Sequence, residues 1–84
     1  MNDARIRRLI MENLPSTKDG QASKLYLKLS VQQDASAFAF EVTEDDFERN
    51  LSWLNTNQCL VVFSDGYVRP TSAGLYGYGI LKKY

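Results

Sequence analysis

Residues 60–70 have the sequence LVVFSDGYVRP, and this stretch decides the fold class. Leu60–Phe63 is a short apolar run, which is typical of a strand. The pair Asp65-Gly66 predicts a tight hairpin, in which both turn positions need a positive φ. We therefore expect a return strand over Tyr67–Arg69. Pro70 ends it, because proline has no N–H to donate to a sheet.

A helix is predicted immediately before this hairpin, over Glu44–Thr56. Thr43 is a good N-cap, and Asp46 follows it by three residues. Three carboxylates occupy the first turn, where they favour the positive end of the helix dipole. The buried stripe comprises Phe47, Leu51 and Leu54.

The N-terminal segment predicts a first helix over Asp3–Leu14. Its apolar residues recur at helical spacing, and Asn2 or Asp3 serves as the N-cap. Pro15 disfavours helical backbone at the residue before it, which ends the helix. The following residues 16–23 are expected to form a loop with a turn at Asp19-Gly20.

Residues 25–40 allow two interpretations. Leu25, Leu27 and Leu29 alternate with polar or aromatic residues, which favours a strand; the competing interpretation is a helix over Ala22–Gln33. Ser30–Gln33 has the form of a capping box and predicts a second helix over Val31–Phe40. The buried face of this helix would comprise Val31, Ala35, Phe38, Ala39 and Val42, with Phe40 pointing the opposite way.

The last segment, Thr71–Tyr84, is predicted to be either a terminal helix or an extended tail. It contains Gly74, Gly77 and Gly79, each of which costs a helix about 1 kcal/mol. The glycine spacing matches neither a dinucleotide-binding loop nor a phosphate-binding loop.

Composition indicates one soluble globular domain covering residues 1–84. The chain has 84 residues, 44% of them hydrophobic, and ten basic residues balance ten acidic ones. Charge is nevertheless segregated: residues 1–30 carry six basic and three acidic side chains, whereas residues 31–57 carry one basic and six acidic. The single cysteine, Cys59, allows no internal disulfide, which fits a reducing, cytoplasmic location. No signal peptide or membrane-spanning run is recognised.

The sequence offers no recognisable arrangement of catalytic or metal-binding residues. It contains no histidine, and one cysteine cannot build a zinc site. Glu44, Asp45 and Asp46 are contiguous and diverge around a helix, so they do not form a catalytic pair. We expect no enzymatic activity, no cofactor and no metal.

The predicted order of elements resembles the winged helix-turn-helix superfamily of small bacterial and phage regulators, including its MarR-like and PadR-like groups. Residues Ala37–Thr43 are similar to the second helix and turn, and Phe47–Leu54 to the recognition helix. Cys59–Gly74 is similar to the wing and the start of a last helix. One departure is Glu41, which stands where the family's turn usually has glycine. The implied fold is α+β, with three helices, a hairpin wing and a terminal helix or tail.

The resemblance implies a DNA-binding or DNA-associated transcription regulator. In that family the third helix usually enters the major groove. The residues expected to contact DNA are Arg5, Arg8, Arg49, Ser52, Asn55, Arg69 and Lys82. The third helix, however, carries four acidic residues and one basic residue, and carboxylates near phosphate are repulsive.

The alternative hypothesis is a winged-helix protein-interaction module that has lost DNA binding. An acidic third helix would then dock a basic partner, and exposed aromatic residues would anchor a homodimer or another protein. The residues expected at such an interface are Phe40, Trp53, Tyr76, Tyr78 and Tyr84. If the terminal segment instead folds back over Trp53, these aromatics belong to the core.

Overall fold

Four helices and a three-stranded sheet make up the part of the chain described by the computed structural model, residues 2–17 and 20–81. The predicted turn at Asp19-Gly20 lies partly outside these residues. The elements in chain order are α1 (Asp3–Asn13), β1 (Ala22–Ser23), α2 (Lys24–Ala37), α3 (Glu44–Thr56), β2 (Leu60–Val62), β3 (Tyr67–Pro70) and α4 (Ser72–Gly77).

The sheet is antiparallel, with β3 between β1 and β2. Leu60 pairs with Pro70, and Ala22 pairs with Val68. The predicted hairpin is confirmed, but the predicted turn with two positive-φ positions is wrong. Of the described residues near the turn, Gly66 alone has a positive φ, of 88°. The Gly66 N–H donates to the Phe63 carbonyl and the Phe63 N–H to Tyr67, which is the pattern of a three-residue loop.

Helix α1 packs against both α2 and α3, and the core lies between these helices and the sheet. The predicted helices over Asp3–Leu14 and Glu44–Thr56 are confirmed, the first to within one residue at its end. Thr43 and Asp46 form the predicted capping box at the start of α3. Asn2 is the N-cap of α1, although its side chain makes no capping hydrogen bond.

The predicted strand over Leu25–Leu29 is wrong, because these residues form the first half of α2. Ser23 caps this helix by accepting a hydrogen bond from the Tyr26 N–H at 3.0 Å. Leucine and lysine, which dominate the segment, are good helix formers. Leu27 is buried, as are Val31 and Ala35 at the following four-residue steps, whereas Leu25 and Leu29 are exposed. The competing helix interpretation was the better one.

The predicted second helix over Val31–Phe40 is also wrong at both ends. The Ser30–Gln33 pattern lies inside α2, and the helix stops at Ala37. Ala39 adopts a left-handed conformation with φ 61°, and the Phe40 N–H donates to the Ala35 carbonyl at 3.0 Å. This C-terminal turn reverses the predicted sides of the two phenylalanines: Phe38 is 63% exposed, and Phe40 packs against the core.

The terminal segment combines the two predicted possibilities. Thr71 caps the short helix α4 by accepting from the Gly74 N–H at 2.9 Å. The chain then turns at Gly79, and Ile80 and Leu81 pack against the core. The result is an α+β architecture whose element order is compatible with a small winged-helix-like fold.

Replacing Ala39 with glycine should raise the free energy of unfolding by roughly 0.5–1 kcal/mol. A left-handed alanine is strained by roughly 1–2 kcal/mol, and part of the relief is offset by the greater freedom of glycine in the unfolded chain. Ala37→Gly is the matched control: the same change within the helix should lower stability by roughly 0.5–1 kcal/mol. Urea unfolding measures both, and shifts in the same direction would contradict the strain at Ala39.

Gly74→Ala should destabilise the fold by roughly 1–3 kcal/mol, since a Cβ there would run into the backbone carbonyl of Cys59. Gly77→Ala lies in the same helix, where a Cβ would meet nothing within 4 Å. That control should leave stability unchanged or raise it by up to about 1 kcal/mol. Thermal unfolding followed by circular dichroism compares them; a Tm for Gly74→Ala equal to that of the unsubstituted chain would refute the close packing.

Candidate interaction surfaces

The outward face of α3, called here the α3 strip, consists of Asp45, Glu48, Ser52 and Asn55. Glu48 of the strip and the neighbouring Glu44 are paired with α2: the Lys24 Nζ lies 2.8 Å from Glu48, and the Lys28 Nζ lies 3.0 Å from Glu44. Both pairs are partly exposed, which limits their contribution to stability. Glu44, Asp45 and Glu48 together outnumber the two lysines, so this face is slightly acidic.

Two shallow grooves run beside the α3 strip and share Lys24 and Glu48 in their walls. The first, of about 240 Å³, lies between α2 and α3 and is also lined by Leu25 and Phe47. The second, of about 200 Å³, lies between α3 and β2 and includes Ser52. The Lys24–Glu48 ion pair therefore forms a wall common to both grooves.

A polar network joins α1 to the opposite face of α3. Asn50 is 1% exposed; its Oδ1 accepts from the Arg7 Nε at 3.0 Å, and its Nδ2 donates to Asp3 at 3.1 Å. The Arg49 guanidinium donates to Asp3 at 2.7 Å and to Asp46 at 2.9 Å. Every polar group of the buried Asn50 side chain is thus engaged, which fixes α1 along α3.

This network lowers the pKa of two carboxyl groups. Hydrogen bonds from Arg49 and then Asn50 hold the pKa of Asp3 below its ordinary value. Asp46 also has a lowered pKa, first because the Thr43 backbone N–H donates to it and then because Arg49 does. The same carboxylates raise the pKa of Arg49, which therefore stays charged.

Four arginines lie over aromatic rings. The guanidinium carbon of Arg7 is 3.9 Å from the Trp53 ring centroid, and that of Arg5 is 4.4 Å from the Phe40 centroid. The remaining pairs are Arg8 with Tyr78, at 5.5 Å, and Arg69 with Phe63, at 5.2 Å. Stacking uses the face of a guanidinium and leaves N–H groups at its edge open to other acceptors.

The residues predicted to contact DNA do not share one surface. Ser52 is two positions beyond Asn50, about 200° around the helix, so it faces away from α1. Arg5 and Arg8 lie on the exposed side of α1, and Arg49 points to the α1–α3 network. Asn55 accepts a hydrogen bond from the Val62 N–H at 3.3 Å. Arg69 lies on the hairpin, and Lys82 is outside the described residues.

The residues predicted at a protein interface are also dispersed. Trp53 remains 40% exposed beneath Arg7, and Tyr76 is exposed on α4. Phe40 and Tyr78 are partly buried against the core. Tyr84 lies outside the part of the chain that the structure describes.

Large exposed apolar side chains occur instead in two groups, one at the start of α2 and one on the hairpin. We call the two groups together the apolar surface; its members, between 38% and 66% exposed, are Leu25, Tyr26, Leu29, Val61, Phe63 and Tyr67. Ser23 pairs with Tyr67, and the Lys24 N–H donates to the Gly66 carbonyl at 2.8 Å. These contacts place the start of α2 beside the tip of the hairpin.

The apolar surface and Asn50 were missed at the sequence level. Reading residues 24–37 as one helix would have placed Leu25 and Leu29 on one face, four residues apart, outside the Leu27–Val31–Ala35 stripe. For Asn50 the only signal was its position beside the Phe47–Leu51–Leu54 stripe, which does not distinguish a buried polar residue from an exposed one.

Cys59 is half-buried, and desolvation raises the pKa of its thiol. The thiol therefore stays protonated, and its Sγ lies 3.8 Å from the Asn57 carbonyl oxygen. Burial likewise raises the pKa of Tyr78. Neither group has the environment of an activated nucleophile.

Within residues 2–17 and 20–81, no three side chains of His, Cys, Asp or Glu are grouped so that they could hold a metal ion. None of the helices in these residues has the length and apolar character needed to cross a membrane.

No family model, curated protein or solved structure matches this chain.

The lowered pKa of Asp3 predicts a pH dependence of stability. A carboxylate whose folded pKa lies below its unfolded value of about 3.9 stabilises the fold above that value, and the contribution is lost as pH falls through the folded pKa. Asp3→Asn should therefore be less stable than the unsubstituted chain at pH 6, with the difference shrinking towards pH 2. Urea unfolding across this range measures it.

Glu12→Gln is the control, because it removes an exposed carboxylate at the other end of α1 from the network. It should change the pH profile far less than Asp3→Asn. Identical profiles for the two variants would contradict the stabilising role of the ionised Asp3.

Proposed function

We propose that this chain is a winged-helix-like protein-interaction module. Its partner would carry large apolar side chains flanked by lysine or arginine. The observation that carries the proposal is the exposed apolar group at the start of α2, where Leu25 lines a groove with Glu44 and Glu48. Tyr26, the most exposed of the six, is 66% exposed, although burying such a side chain is worth roughly 1.5–3 kcal/mol.

Charge selects the kind of partner. Leu25 lines the same groove as the ion pairs Lys24–Glu48 and Lys28–Glu44, and Asp45, next to Glu44 in the sequence, adds a further negative charge on this side of α3. The lysines that pair with these carboxylates hold them weakly and can release them to a basic partner. A segment combining apolar and basic residues therefore complements this face in both packing and charge.

The positions that would face DNA in a winged helix support the same proposal. Those positions are on α3 and the hairpin, where the chain presents Asp45, Glu48 and exposed aromatic rings. Affinity for DNA depends on neutralising phosphates with basic side chains, and carboxylates oppose it. Arg5 and Arg8, which could supply such contacts, lie on the far side of α1 from the α3 strip.

A DNA-associated transcription regulator is the second candidate. It is favoured by the order of the elements and by the strand order β1-β3-β2. Ser52 is exposed at the centre of the α3 strip, and Arg69 on the hairpin could reach the phosphate backbone. Binding would then have to overcome the repulsion between the phosphates and the carboxylates of the α3 strip.

The two candidates are separated by two titrations of ¹⁵N-labelled protein. One uses an amphipathic peptide of about 12 residues composed of Leu, Phe and Lys, and the other a random-sequence DNA duplex at rising salt. We expect the peptide to shift the amides of Leu25, Leu29 and Glu48. We expect no DNA binding even at low salt, with Trp53 fluorescence as a second readout.

The double variant Leu25→Ser/Leu29→Ser should weaken peptide binding by about tenfold, a loss of about 1.4 kcal/mol. Phe38→Ser is the matched control, because it removes an equally exposed apolar side chain from another face. If the peptide does not bind, and the protein binds DNA in a salt-sensitive way that Arg69→Glu abolishes, the DNA-associated regulator would replace this proposal.

A further inference from the structure

A third groove lies along α1, away from the α3 strip, and its chemistry is the opposite of that strip's. It has a volume of about 220 Å³, and its lining residues are Arg5, Arg8, Leu9, Glu12, Phe38 and Phe40. We infer that this groove is a second binding site, for an acidic protein segment that inserts one large apolar side chain between Arg5 and Phe38. The inference rests on this groove alone and does not depend on the proposed function.

The backbone holds Phe38 outward. The left-handed Ala39 and the hydrogen bond from Phe40 N–H to the Ala35 carbonyl form a closed turn at the end of α2. Phe38 is the C-cap within this turn and is 63% exposed, while Phe40 lies beneath the Arg5 guanidinium. The apolar wall of the groove is therefore set by hydrogen-bonded backbone.

Two arginines give the groove its preference for carboxylates. The Arg5 guanidinium lies over the Phe40 ring, with its carbon 4.4 Å from the centroid, and a guanidinium can donate two N–H groups to one carboxylate. Arg8 donates to the Tyr78 carbonyl at 3.1 Å, and its nearest carboxylate, Glu12, is 3.8 Å away. The groove thus carries two positive charges and one negative charge around an apolar floor.

The size of the groove favours a side chain over a small-molecule ligand. Sites for drug-sized ligands occupy about 300–1,000 Å³, which exceeds this volume. A single leucine or phenylalanine would fill the groove, with an aspartate or glutamate of the same segment reaching Arg5. A protein segment rich in acidic and apolar residues supplies both groups.

The test uses a pair of amphipathic peptides of about 12 residues, one of Leu, Phe and Glu and the other with Lys in place of Glu. Each is titrated into ¹⁵N-labelled protein. The acidic peptide is expected to shift the amides of Leu9, Phe38 and Phe40, and the basic peptide is expected to leave them in place. An acidic peptide that shifts none of them, or a basic peptide that shifts them equally, overturns the inference.

Variants then locate the site. Arg5→Gln/Arg8→Gln should weaken binding of the acidic peptide by about tenfold. Arg69→Glu is the matched control, since it lowers the net charge by the same two units at another arginine that lies over a phenylalanine, outside the groove. Equal losses in the two variants would mean that only net charge matters and would overturn the inference.

Phe38→Ser provides a second measurement if the double variant does not fold, because Phe38 is exposed and its loss should leave the spectrum dispersed. Phe38→Ser should weaken binding of the acidic peptide, whereas Leu25→Ser/Leu29→Ser should leave that binding unchanged. Binding of the basic peptide beside α3 without binding of the acidic one would overturn this inference and leave the proposed function intact. Binding of the acidic peptide along α1 without binding of the basic peptide beside α3 would support this inference and overturn the proposed function.

Discussion

The buried amide of Asn50 is the interaction on which the arrangement of surfaces depends. It links Arg7 and Asp3 of α1 to the Asp46 carbonyl of α3, at distances between 2.8 and 3.1 Å. Leaving such a group unpaired in the interior costs about 1–3 kcal/mol, so the network favours the register in which α1 lies against α3. That register turns Arg5 and Arg8 outward on one side and the α3 strip outward on the other.

Segregation of charge along the sequence therefore becomes segregation of charge in space. The basic N-terminal helix and the acidic third helix touch through Asp3, Arg7 and Arg49, where opposite charges meet. Away from this contact, the exposed side chains of α1 are mainly positive and those of α3 are mainly negative, as in the sequence of each helix. A chain with zero net charge consequently has faces of opposite preference, a property that its overall composition conceals.

Local signals explain which elements could be predicted from the sequence. The hairpin and α3 are specified by neighbouring residues, namely Asp65-Gly66 and the Thr43–Asp46 capping box. Residues 25–29 lack such a signal, because leucine at every second position satisfies a strand and also a helix with one buried leucine. Strand β1 has two residues and exists only through its pairing with β3, which no local pattern can indicate.

The candidate surfaces were less predictable than the fold for the same reason. Asn50 contacts residues 43 and 47 positions away in the sequence, so its burial follows from tertiary packing. The predicted DNA contacts were chosen by residue type, and type does not reveal whether an arginine faces α3, a ring or solvent. Which of Phe38 and Phe40 is exposed depends on the left-handed backbone of Ala39. An alanine in the sequence does not indicate a left-handed conformation.

The exposed apolar residues lie on faces rather than at sheet edges, and this constrains how a partner can bind. At the outer edge of β2, the Val62 N–H is already occupied by the Asn55 side chain. At the other edge, β1 offers only two residues. Short or covered edges discourage the addition of a further strand. A partner of the apolar surface must therefore be recognised through side-chain packing and charge, which are the properties that differ between the grooves along α3 and α1.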